Sequence, residues 1–137
     1  MRTAIFDAKF ESLNDIREFV AQAARDAGFD EVNIYAIQLS ADEASSNIIE
    51  HAYKNDPGHI IECSSTVEDG NFILIFKDHG CCFDPALVPE PNIAGKLDER
   101  NIGGLGLYLI NHLMDEVKYE SLGETGNVLT MKKRLVD

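Results

Sequence analysis

The chain has 137 residues, 45% of them hydrophobic, and a formal charge of −12, enough for one ordinary domain with its own core. The acidity argues against nucleic acid and anionic membranes as partners, because neutralising phosphates takes clustered Lys and Arg; it suits a partner with a basic patch. No apolar run approaches the roughly 20 residues that span a bilayer, no basic-then-apolar leader is visible, and three cysteines make no disulfide framework, so a reducing cytoplasm is the expected location.

Residues 2–8 alternate as a first strand. Ser12-x-x-Asp15 has the form of a capping box, and Leu13, Ile16, Val20, Ala23 and Ala27 then repeat at helical spacing. Gly28 stands where a helix-terminating residue belongs. A second helix is predicted over about residues 32–54, stopping before Asp56-Pro57-Gly58. Strands near 59–67 and 71–78 flank Asp69-Gly70, a strong hairpin signal. Pro85, Pro89, Pro91 and Gly95 break any periodicity over 85–102, a connection long enough to be a lid or disordered. A helix opening at Gly103 and running to about Asp115 precedes a second hairpin, 116–121 and 127–135, around Gly123-Glu124-Thr125-Gly126. Strand, two helices, two strands, helix, two strands makes an α/β two-layer sandwich with helices on one sheet face.

Three stretches carry chemistry. In Asp42 to Tyr53, Glu43 and Asn47 are four residues apart and project from one helical face, while Ala41, Ala44, Ile48 and Ala52 form an apolar stripe beside them. An acid that takes a proton next to an amide oxygen that holds a hard cation points to phosphoryl chemistry; a solvated polar face is the alternative. Next, Asp78 ends the apolar run Phe72-Ile73-Leu74-Ile75-Phe76 and is followed by Gly80. An ionised carboxylate accepts only, which suits the exocyclic amine of adenine; an Asx turn is the alternative. Last, Gly103-Gly104-Leu105-Gly106 opens a helix, where unpaired N–H groups and the helix dipole favour an anion. No strand immediately precedes these glycines and no Gly-Lys-Ser/Thr follows, so neither a dinucleotide fold nor a P-loop fits.

In this order and spacing the three stretches resemble the N, G1 and G2 boxes of the GHKL ATPase superfamily, and within it the small anti-sigma-factor serine/threonine kinases. Glu43-x-x-x-Asn47-x-x-x-His51-Ala52-Tyr53 looks like the N box, Asp78-x-Gly80-x-x-Phe83-Asp84-Pro85 like G1, and Gly104-Leu105-Gly106-Leu107 like G2. The resemblance spans about residues 10–135. It implies a single histidine-kinase-like ATPase domain over 1–137 with the Bergerat fold, a mixed, mostly antiparallel sheet, and 85–102 as its ATP lid. It implies ATP and Mg²⁺ as cofactors. Asp78 would select adenine with Gly80 clearing space for the ring; Phe83 and Leu107 belong to the same boxes. Asn47 would hold Mg²⁺, and the amides around Gly104, Leu105 and Gly106 would cradle phosphates. Arg100 would reach the γ-phosphate, Thr130 would stand near adenine, and Glu43 would act as the base.

The implied partners are an anti-sigma-factor antagonist as phosphorylation substrate, a sigma factor, and a second copy in a homodimer. Two other functions stay open: a nucleotide-dependent binding module without transfer, and a stand-alone histidine-kinase-type domain. His51 reads as structural, and Cys81-Cys82 as small side chains filling a turn.

Overall fold

The computed structural model describes residues 1–80 and 110–135. Strand β1 (Arg2–Asp7) leads through a short 3-10 turn into helices α1 (Leu13–Ala27) and α2 (Glu31–Asn47), and α2 continues as a π-helical turn over Ile48–Ala52. Strands β2 (Ile60–Glu68) and β3 (Asn71–Asp78) follow, residues 110–113 are helical, and β4 (Glu116–Ser121) and β5 (Asn127–Arg134) close the sheet. The strand order is β1-β2-β3-β5-β4. Every neighbouring pair is antiparallel, so the expected mixed sheet is antiparallel throughout the described strands.

The alternation of β3 sets which face is dry. Phe72, Leu74 and Phe76 are almost fully buried while Ile73 and Ile75 between them are not. Each inward side chain is worth roughly 1.5–3 kcal/mol in area removed from water. Across the ladder Leu74 faces Met131 and Phe76 faces Leu129, both buried. Ile16 and Val20 of α1 and Ile34, Ile37 and Ala41 of α2 join the same core. Phe29, in the α1–α2 connection, meets Phe72 edge to face at 5.6 Å.

Turn chemistry accounts for most boundaries. Asp30 caps α2, its Oδ1 accepting from the Asn33 N–H at 2.9 Å, and Gly28 ends α1 in the left-handed region. Ser12 differs from expectation. It already has helical backbone angles and makes no side-chain cap, because the 3-10 turn over Phe10–Ser12 starts the coiling three residues earlier.

Candidate functional site

Asp78 holds the last inward position in the row Phe72, Leu74, Phe76, Asp78, so a carboxylate stands where the pattern otherwise puts an apolar side chain. It is 5% exposed. Its Oδ1 accepts from the Gly80 N–H at 2.9 Å and from Asn127 Nδ2 at 2.9 Å. The Asx turn therefore forms, but it occupies one oxygen. Among the described residues no donor reaches Oδ2. Burial pushes the Asp78 carboxyl above its usual range, against the Asn127 and Gly80 hydrogen bonds and His79.

Asn127 is the residue that sequence reasoning missed. It is the register partner of Asp78 across β3 and β5, and Gly126 before it presses on the same spot. At φ +107° and ψ −155°, Gly126 adopts a conformation open essentially only to glycine, and a Cβ there would stand 2.0 Å from the Asp78 carbonyl oxygen. Thr130 has to be moved out of the site. It lies three residues beyond Asn127, so strand parity turns it to the opposite sheet face, between Ile75 and Lys118. Gly80 also has a different neighbour from the one expected. A Cβ there would meet the Ala52 carbonyl oxygen at 2.5 Å, so the room left by its missing side chain is filled by the end of α2 rather than by a ring.

On α2, Glu43 is half-buried and Asn47 is 7% exposed. Burial raises the Glu43 carboxyl above its usual range, and the like charges of Asp42 and Glu50 add to this. Asp42 is itself held by Arg17 of α1, with Nη2 and Nε 3.0 and 3.2 Å from Oδ2. The Asn47 Nδ2 is buried and has no hydrogen-bond partner among the described residues, an omission that costs roughly 1–3 kcal/mol where it is not relieved. A carboxamide whose NH₂ is left unpaired among the described residues is one available to a ligand. Its oxygen is a hard donor suited to Mg²⁺, which needs few protein ligands because it keeps waters and takes phosphate oxygens. No cluster of three or more His, Cys, Asp or Glu exists among the described residues, so a metal held by protein side chains alone has no place there. The residues present fit a single-ligand Mg²⁺ accompanying a nucleotide.

The two halves meet at Tyr53, which is 5% exposed. Its hydroxyl donates to the Ile60 carbonyl at 2.7 Å and accepts from the His79 N–H at 2.8 Å. The ring stacks on His59 at 4.4 Å. A cavity of about 300 Å³, lined by Arg2, Asp26, Ser65 and Phe72 among others, lies at the Phe72 end of β3 and contains none of the candidate residues. Phe83, Arg100, Gly104, Leu105, Gly106 and Leu107, with the 85–102 segment, lie outside the described residues.

A two-layer sandwich with an acidic residue and an amide on one helix, its end joined through Tyr53 and Ala52 to the turn of a buried aspartate, is compatible with a nucleotide-binding ATPase domain. The model of the histidine kinase-like ATPase domain family matches residues 6–133, and the chain belongs to that family. Among its relatives are serine-protein kinases named RsbW. Those of Bacillus cereus (strain AH187) and of Bacillus thuringiensis subsp. konkukian are each 36% identical over 115 residues, covering 81% of this chain and 71% of the relative. The fold is shared with the RsbU and RsbW domains of a Mycobacterium tuberculosis protein, at TM-score 0.65 and 20% identity over 98% of this chain and 33% of that one. The histidine kinase AdeS of Acinetobacter baumannii shares it more loosely, at TM-score 0.53 and 17% identity over 100% of this chain and 69% of that one.

Proposed function

We propose that this chain is an ATP-dependent protein serine/threonine kinase that acts as an anti-sigma factor in the cytoplasm. Its substrate would be the antagonist protein that competes with the sigma factor, and it would work as a homodimer. The observation that carries the reading is Glu43, a half-buried acid one helical turn from an amide whose Nδ2 has no partner among the described residues. Nucleotide binding alone does not need a base at that position.

Asp78 Oδ2 would accept from the adenine amine while Gly80 and Asn127 hold Oδ1 in place. Asn47 would hold Mg²⁺, which when bound neutralises phosphate charge. Glu43 would take the proton from the attacking serine or threonine hydroxyl, at a carboxylate oxygen whose affinity for protons burial has raised. Such a base is worth roughly 10²–10⁴-fold in rate. The amides of Gly104, Leu105 and Gly106 would take the phosphates, with Arg100 on the γ-phosphate, and Phe83 and Leu107 complete the boxes.

Radiolabelled ATP with the candidate antagonist tests this. Label on an antagonist serine or threonine, lost with Glu43→Ala while ATP binding persists, is the expected result. Binding of ATP without transfer would reduce the chain to a nucleotide-dependent binding module, and label on histidine would make it a histidine-kinase-type domain.

A further inference from the structure

The adenine side and the metal side of the site sit on different elements, Asp78 at the end of β3 and Asn47 near the end of α2. A ligand gripped at both ends binds at full strength only when the distance between the grips is already set. We propose that Tyr53 is the positioning residue that sets it, clasping the end of the Glu43–Asn47 helix to the turn that carries Asp78. The inference rests on the nucleotide-binding reading above.

The geometry supports this in four ways. The His79 N–H, the first amide after Asp78, donates to the Tyr53 hydroxyl at 2.8 Å, and the same hydroxyl donates to the Ile60 carbonyl at 2.7 Å. One side-chain oxygen thus joins the helix end to β2 and to the Asp78 turn. Beside it the Ala52 carbonyl seats against Gly80, where even a methyl would collide. The π turn makes both contacts possible. The Tyr53 N–H reaches five residues back to the Ile48 carbonyl at 2.9 Å. Had the helix kept regular α geometry, position 53 would be rotated by about 100° and the hydroxyl would leave the Asp78 turn. Stacking on His59, which is held in turn by Asp56 at 2.9 Å, fixes the ring from its other face. Tyr53 touches no reacting atom in this scheme. It acts through Asp78 and Asn47.

The test is Tyr53→Phe in the full chain, which keeps the ring and its stacking and removes only the hydroxyl. Affinities for Mg-ATP and Mg-GTP are measured by calorimetry well below the melting temperature. Ile16→Val, which thins the core under α1, serves as a control for general destabilisation. ATP affinity is expected to fall about tenfold in Tyr53→Phe, the scale of the one hydrogen bond to the ligand that a displaced Asp78 would lose. The preference for ATP over GTP is expected to fall with it, because a displaced Asp78 no longer meets the adenine amine. Ile16→Val should leave both unchanged. Should Tyr53→Phe fail to fold, Gly80→Ala pushes the same two turns apart and must lose the same preference. Parental affinity and preference in the folded variant, or an equal loss in Ile16→Val, would overturn the positioning role. A parent chain that ignores ATP altogether would overturn the nucleotide reading and this inference together.

Discussion

Replacing Asp78 by Asn probes the proposed adenine acceptor with little disturbance around it. The asparagine oxygen can stay where Oδ1 accepts from the Gly80 N–H and from Asn127 Nδ2, both at 2.9 Å. Its NH₂ then replaces Oδ2, and a ligand amine meets a donor where it met an acceptor. Losing one hydrogen bond to a charged group costs about 1.5–3 kcal/mol, a roughly 10- to 150-fold loss of ATP affinity. Folding should not suffer. Burial raises the Asp78 carboxyl above its ordinary value, the hydrogen bonds from Asn127 and Gly80 opposing it. The folded chain therefore binds that proton more tightly than the unfolded chain does. Just above the ordinary carboxylate value the folded state carries more protons, so stability falls as pH rises through that window. Asparagine does not ionise, so the variant should be at least as stable as the parent at about pH 7 and should lack the parent's gain on mild acidification. Calorimetric titration with Mg-ATP and thermal melts from about pH 4 to about pH 7 read both effects. Retained ATP affinity would refute the adenine assignment. A large drop in melting temperature at neutral pH would refute the account of the Oδ1 bonds.

Other substitutions test the remaining parts of the site. Glu43→Gln should keep ATP binding and lower phosphoryl transfer by roughly 10²–10⁴-fold; a rate within a few-fold of the parent would remove the base. Since Glu43 must be ionised to act and its carboxyl is raised by burial, Asp42 and Glu50, the acid limb of the rate profile should lie above the ordinary glutamate range. Glu50→Gln should move that limb to lower pH, and an unmoved limb would disconnect the two groups. Gly126→Ala forces a Cβ against the Asp78 carbonyl and should cost at least about 1–3 kcal/mol from the backbone conformation alone, read by denaturant unfolding. Thr130→Val should leave ATP affinity within about twofold, since the side chain lies on the other sheet face; a tenfold loss would return it to the site.

The features legible in the sequence are those set by local chemistry. Asp69-Gly70 announced the first hairpin because both positions take positive φ, and the apolar run Phe72-Ile73-Leu74-Ile75-Phe76 announced that Asp78 ends a buried strand. What was not legible depends on pairing between distant residues. Asn127 enters only through the register of β5 on β3, and that same register, not composition, sends Thr130 to the far face. The π turn leaves the apolar stripe through Ile48 and Ala52 intact, so periodicity could not reveal the extra residue per turn. Ser12 lost its capping role to a 3-10 turn that began one turn earlier.

The bond between Asn127 and Asp78 joins residues 49 apart in sequence, and it depends on β5 pairing with β3, a strand outside its own β4–β5 hairpin. A chain emerging from the ribosome would therefore have Asp78 in hand well before Asn127 could bond it. The two-sided hold on the Asp78 Oδ1 is complete only once residues 127–134 have been made and have slotted between β3 and β4.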